Sequence, residues 1–321
     1  MSGAFVLDGL ALLAAVVLAL LAREALRLWR AVPPREVREQ CVGTAAATDA
    51  TLPRVIWTYW HDATPPEFVA LCLANWRRLA PDHALRLLDR RTLHDWIPAA
   101  QLRADFDALP AYRQADWLRI QLLARHGGVW IDASTLLCRD LGWLHALRAR
   151  HGAEYAGFYI ARYTNRPERP HVENWFMAAV PGSAFARDLA AAFDAALDLG
   201  AEALLERLRA EGRIEAVVQD LTEDFQRYLL MHVAASDLLD RDAARYRLAL
   251  QRAEDTAFAF HAALGWRKRH LYGRLAILPC PPRLPALVKL RGGDRRVFEQ
   301  GLARGRWRAG SALARLLELR R

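Results

Sequence analysis

From residue 53 onward the apolar positions alternate between strand-like runs and helical spacing. Arg54-Val-Ile-Trp-Thr-Tyr-Trp60 is β-branched and aromatic, bounded by Pro53 and by Pro65-Pro66, and it predicts a buried first strand. Pro66 suits a helix start, and Phe68, Leu71, Leu73 and Trp76 predict a helix that ends before Pro81. Ala84 to Leu88 predicts a second strand with Asp89 at its end, and Thr92 to Phe106 reads as helical pieces interrupted at Pro98. Pro110 then opens a helix that carries Trp117, Ile120, Leu123 and Ala124 on one face. Asp116 and Arg119, three apart, share a different and polar face. Gly127-Gly128 stops this helix, because glycine takes left-handed conformations at little steric cost. Val129 to Ile131 predicts a short strand with Asp132 just past it, and open α/β sheets place ligands at the carboxyl ends of their strands.

This order predicts an α/β fold with a mostly parallel sheet flanked by helices. Past Asp132, Tyr155–Tyr159 and Trp175–Val180 read as strands separated by a polar Arg162–His171 loop. Ala184–Leu197, Glu202–Ala210 and Thr222–Ala234 read as helices, and no internal repeat is present. The chain divides into an N-terminal helix (1–30), a linker (31–52) containing Pro33-Pro34, a main domain (53–290) and a basic amphipathic C-terminal tail (291–321).

Composition sharpens this picture in three places. Hydrophobic residues at 53 % and eleven tryptophans exclude a largely disordered chain. The net charge of +9 is concentrated in the tail: from Lys289 onward ten Lys/Arg stand against Asp294, Glu299 and Glu318, a net of +7, leaving +2 for the rest. That tail suits anionic lipid headgroups, and with no nucleic-acid motif beside it no nucleic-acid partner is expected. Cys41, Cys72, Cys138 and Cys280 lie far apart with no C-x-x-C pair, so neither a zinc site nor a disulfide framework is signalled.

The N-terminus predicts a membrane anchor. Ala4–Ala22 contains Asp8 as its only charge, and as a helix it would be roughly 28 Å long, near the hydrocarbon thickness of a bilayer. Positive charge precedes the apolar stretch of a cleaved signal peptide, and none does here. Arg23, Arg27, Arg30, Arg35 and Arg38 follow instead, which places the main domain on the cytoplasmic side. Asp8 leaves open a helix that lies in the membrane plane.

The combination of Asp116 and Arg119 on a helix, the Gly127-Gly128 stop and Val-Trp-Ile-Asp132-Ala-Ser134 resembles the signature of D-x-D-type glycosyltransferases that use sugar nucleotides. More closely, the chain resembles the bacterial capsular polysaccharide synthesis glycosyltransferases, whose first strand reads like Ile56-Trp57-Thr58-Tyr59-Trp60 and a later segment like Asn174-Trp175-Phe176-Met177-Ala178-Ala179. The resemblance runs from about Pro53 to Leu290 and implies a GT-A (Rossmann-like) fold, a nucleotide-sugar donor, a glycan or lipid-linked acceptor, and a divalent Mn²⁺ or Mg²⁺ on the D-x-D carboxylates.

The same resemblance assigns roles. Asp132 becomes a metal and donor ligand, and Asp116 contacts the ribose or positions the site. Arg119 holds either aspartate or approaches the diphosphate, and Asn174 reaches the donor sugar. Tyr59 or Trp57 would stack on the nucleotide base, although two residues on one strand face can equally be core. His232 is a further metal ligand, on one expected helix with Asp224 and Arg227. His61 is a loop candidate, and Lys289 either meets phosphate or is exposed. Ser134 stands where the second aspartate of D-x-D would be, so metal binding would rest on one carboxylate, a neutral hydroxyl and the donor. That departure keeps open a non-catalytic protein of the same fold that binds glycan or anionic lipid.

Overall fold

The computed structural model describes the backbone of residues 2–320 and, from residue 12, every side chain to residue 320, together with that of residue 10. In chain order, helix α1 (Ser2–Arg30) precedes β1 (Glu39–Val42), β2 (Val55–Tyr59), α2 (Glu67–Leu79), β3 (Ala84–Leu88), α3 (Ala111–His126), β4 (Gly128–Ile131) and β5 (Thr135–Leu137). Then come α4 (Gly142–His151), β6 (Tyr155–Tyr159), β7 (Val172–Ala179), α5 (Ala184–Leu199), α6 (Ala201–Ala210), α7 (Ile214–Val218), α8 (Glu223–Tyr228) and α9 (Leu230–Asp242). The chain closes with β8 (Leu248–Arg252), α10 (Ala259–Ala263), α11 (Lys268–Tyr272), β9 (Leu287–Lys289), α12 (Gly292–Ala303) and α13 (Ala312–Leu316).

The main sheet has the order β1-β8-β6-β7-β4-β2-β3. Strands β2, β3 and β4 are mutually parallel, and β6 is parallel to β8. Antiparallel β7 lies between β4 and β6, so those two strands point the same way, and antiparallel β1 closes the edge on β8. The sheet therefore runs mostly in one direction. The expected strand at 175–180 begins earlier, at Val172. The helix expected over 222–234 is instead two, because Leu229 leaves helical geometry at φ −91°, ψ 44°.

Alternation along the strands splits the core. Trp57, Tyr59 and Trp130 face α3, α5 and α9, whereas Ile56, Val129 and Ile131 face α2 and α4. Gly128 must be glycine: its φ is +98°, and a Cβ there would lie 2.5 Å from Val55 Cγ1. Between the last turn of α3 and β4 there is room only for backbone.

Two segments differ from their sequence reading. The stretch 31–52 supplies β1, and Ala31, Val42 and Leu52 are buried, so it is woven into the fold and does not act as a free linker. The tail does not form one amphipathic helix. Phe298, Trp307, Leu313, Leu316 and Leu317 enter a third core with Phe68 and Cys72 of α2 and with Leu271 and Leu275. Asn75 of α2 donates to the carbonyls of both Leu137 and Leu316, which ties the tail to β5. The helices α12 and α13 are parted by a stretch in which Gly305 and Gly310 take positive φ, 61° and 81°, which no continuous helix allows. The expected anchor over 4–22 begins in residues whose side chains lie outside the described set; among the described residues no helix is long and apolar enough to cross a membrane.

Three imidazoles are held neutral inside the domain. Burial, with Arg54 nearby, pushes His83 down to about 4, and burial with His83 and Arg54 pushes its partner His145, 3.0 Å away, to about 4 as well. His171 lies between the Val218 carbonyl and the Ser236 hydroxyl, and burial brings it to about 4. The unfolded chain takes up these protons near pH 6.5, so between 6.5 and 4 it holds more protons than the folded chain. Stability is thus full above that window and declines as pH falls through it. Thermal melts are expected to shift downward from pH 7 to pH 5, and His171→Gln should shrink the shift; a midpoint flat across this range would contradict the assignment.

Candidate functional site

Asp132 stands one residue past β4, where its N–H donates to the Trp175 carbonyl at 2.9 Å. Its Oδ1 accepts from Arg119 Nη2 at 2.9 Å and from Trp130 Nε1 at 2.9 Å, and its Oδ2 accepts from Lys289 Nζ at 2.6 Å. Arg119 reaches the other way to Asp116 Oδ1 at 2.9 Å, so one guanidinium spans a carboxylate on a helix and one on a strand end. Asp116 also accepts from Asn174 Nδ2 at 3.1 Å and from Arg113 at 3.3 Å. Lys289, Arg119 and Arg113 against Asp132 and Asp116 leave one net positive charge in a mostly desolvated cluster.

The backbone explains why these groups meet. β5 and β9 form a separate two-stranded sheet in which Thr135 pairs with Lys289, so the chain returns beside Asp132 after a long excursion. The expected polar face of α3 is buried too: Arg119 is 4 % and Asp116 8 % exposed, because that face closes over the strand ends. Burial pushes the Asp116 carboxyl up, opposed by Arg119 and Arg113. Burial acts on Asp132 in the same sense, but Lys289 and Arg119 outweigh it and hold that carboxyl below its usual range. Breaking such a buried ion pair by removing one partner costs about 3–5 kcal/mol.

Two clefts open on the cluster. The first, about 360 Å³, is bordered by Tyr59, Trp60, Tyr112, Tyr228 and Arg295 and has Asp116, Asp132, Ser134 and Asn174 in its wall. The second, about 710 Å³, is bordered by Trp175, Phe258, Trp266, Glu173 and His232. Asp132, Asn174, Tyr228 and Lys289 border both.

The sequence candidates separate accordingly. Asp132, Asp116, Arg119 and Asn174 form one hydrogen-bonded group. Tyr59 borders the first cleft, but its hydroxyl is turned inward and donates to Gln114 at 2.8 Å. Trp57 is not a stacking residue: it is 1 % exposed, donates to the Gly127 carbonyl at 2.8 Å and packs edge-on against Trp96. It shares the core-facing side of β2, and α3 covers it. His61 is exposed at the first cleft's rim beside Asp62. Asp224 and Arg227 are exposed on α8, whereas His232 is buried on α9.

Sequence reasoning missed the aromatic rim. Tyr112 and Tyr228 are exposed with ring centroids 5.3 Å apart, and Trp60 carries the Arg295 guanidinium 4.9 Å above its ring. Isolated tyrosines at helix ends leave no pattern to find. Lys289 was named without a fixed role, although a lysine within an apolar β-run was a usable signal.

A divalent-metal site requires oxygens free to coordinate at about 2.0–2.2 Å. Both Asp132 oxygens are engaged by cationic donors, and the Ser134 hydroxyl donates to the Leu290 carbonyl at 3.0 Å. His232 faces Glu173 at 3.6 Å in the second cleft, and among the described residues no group of three or more His, Cys, Asp or Glu is gathered to hold a metal ion. The expected set of Asp132, Ser134 and His232 does not fit Mn²⁺ or Mg²⁺.

Fold and site together define a class: an α/β protein with a charged cluster between two clefts at the carboxyl end of a central strand. Similarities to known proteins narrow it. Residues 42–195 match the family model described as capsular polysaccharide synthesis protein. The chain is 31 % identical over 150 residues to the O-glycosyltransferase braB of Annulohypoxylon truncatum, covering 40 % of this chain and 34 % of that protein. It thus spans about a third of the length of that curated relative. Among solved structures, the PaToxG glycosyltransferase aligns over 79 % of this chain and 87 % of its own at 11 % identity and a TM-score of 0.33. Glycosyltransferases are the class this chain is similar to.

Proposed function

We propose that this protein is a nucleotide-sugar-dependent glycosyltransferase with a GT-A-type fold, acting on a capsular or exopolysaccharide glycan or its lipid-linked precursor. The observation that carries the reading is the Asp132–Arg119–Asp116 cluster at the strand ends, where two clefts meet. A sugar transfer needs two such compartments, one for the donor and one for the acceptor, that share a wall at the reacting carbon. In this reading the first cleft takes the donor, with the exposed Tyr112–Tyr228 pair as a platform for the base or sugar and Asn174 near the sugar. The nucleoside diphosphate leaves with growing negative charge, and in this reading Lys289 and Arg119, which border the first cleft, offset it. The wider, aromatic second cleft takes the acceptor.

Release of nucleoside diphosphate from a panel of nucleotide sugars, with and without glycan acceptors, is the test. The wild type should turn over at least one donor, and Asp132→Ala, checked for folding by circular dichroism, should lose about two orders of magnitude or more. Glycan binding without turnover of any donor would instead support the non-catalytic reading.

We further propose that the domain sits at a lipid surface on the cytoplasmic side through α1. Leu12, Leu13, Leu18 and Leu21 are each at least 60 % exposed and point to different sides of that helix, an apolar surface left open among the described residues, and Arg23, Arg27 and Arg30 follow it. Vesicle sedimentation should lose binding when the first thirty residues are deleted. Equal sedimentation of the truncated and full chains would contradict this placement.

A further inference from the structure

The cation that would offset a departing diphosphate is built into the chain. We infer that sugar transfer by this protein requires no divalent metal, because Lys289, backed by Arg119, occupies the position of the metal on Asp132. The inference rests on the glycosyltransferase reading above and adds the identity of the charge that serves it.

Three observations carry it. First, the carboxylate is already neutralised: Oδ2 accepts from Lys289 at 2.6 Å and Oδ1 from Arg119 at 2.9 Å, so a dication ligated by Asp132 would either displace one of these cations or stand against both. Second, the neighbouring D-x-D position cannot make up the loss, since Ser134 is neutral and its hydroxyl is tied to the Leu290 carbonyl. Third, Lys289 is placed by the fold. Its backbone is registered against Thr135, its N–H donates to the Ala257 carbonyl at 3.2 Å, and its ammonium lies 5.9 Å from the centre of the Trp175 ring.

A lysine that is only 7 % exposed is costly to desolvate, and one carboxylate is shared between it and Arg119. Among the described residues the ammonium makes one hydrogen bond, to Asp132, and it borders both clefts. Its remaining N–H donors are therefore available to an anion at the junction. Asp132, on this account, is a positioning residue that holds the ammonium aimed at the junction.

The chemistry balances without a metal. The bond between the anomeric carbon and the diphosphate oxygen breaks, and its electron pair stays on that oxygen, where Lys289 and Arg119 meet it. The acceptor hydroxyl oxygen forms the new bond to the anomeric carbon and its proton passes to solvent. No oxidant, reductant or further co-reactant is needed.

Calorimetric titration of the full chain with a panel of nucleoside diphosphates, in excess EDTA and again with Mn²⁺, tests the inference. At least one diphosphate should bind in EDTA with an affinity within about threefold of that in Mn²⁺, and Lys289→Met should weaken binding by roughly tenfold or more while Lys289→Arg keeps most of it. Binding that appears only with Mn²⁺, or that weakens more than about tenfold in EDTA, would overturn the metal-free account and leave the donor reading intact. Failure of every diphosphate in both conditions would overturn the donor reading and this inference with it. The wild-type arms decide the matter even if Lys289→Met does not fold.

Discussion

The ion pair between Asp132 and Lys289 is the contact on which the rest of the site depends. It joins the end of a central strand to the end of β9, residues far apart in sequence, with the lysine buried and the aspartate partly open to the clefts. A carboxylate in that position without cations would be expensive to bury, and so would the lysine. Arg119 extends the pair to Asp116, so helix α3, strand β4 and the small β5–β9 sheet are locked through a single run of charges. Loosening any member would leave another buried and uncompensated, which makes the site a structural joint as well as a chemical one.

The joint also determines where the clefts are. The first lies between the strand ends and the start of α3; the second lies between β7, α9 and the segment after β8. Both end at the same charged wall. The C-terminal stretch supports it from behind, since Asp294 accepts hydrogen bonds from Arg291 and His261 at the second cleft's edge. Burial pushes the Asp294 carboxyl up, but His261 and Arg291 more than offset this and hold it far below its usual range. The arginine-rich tail is thus part of the scaffold around the site.

Much of this was legible in the sequence where the pattern is local. The strand at Val55, the helix after Pro66, the Gly127-Gly128 stop and the carboxylate after Ile131 each follow from periodicity or from a glycine's conformational range. Asp116, Arg119, Asp132 and Asn174 were readable as a set, and they do touch. What was not legible is what depends on long-range pairing. Lys289 meets Asp132 only because β9 returns to β5, and no spacing rule encodes that return. Trp57 reads the same as Tyr59 by alternation, and only the lid of α3 and Trp96 decides that one is sealed while the other borders a cleft. The tail's mixture of arginine and leucine fits an amphipathic surface helix as well as two short helices capping a core, and tertiary packing chooses between them.

A crystal structure of the protein grown with a bound nucleoside diphosphate and without divalent metal would test the central claim most directly. The account predicts diphosphate oxygens within about 2.7–3.2 Å of Lys289 Nζ and an Arg119 nitrogen, with Asp132 still paired to both. A diphosphate seated away from Lys289, or one that orders only when a metal ion has displaced Lys289 from Asp132, would contradict it.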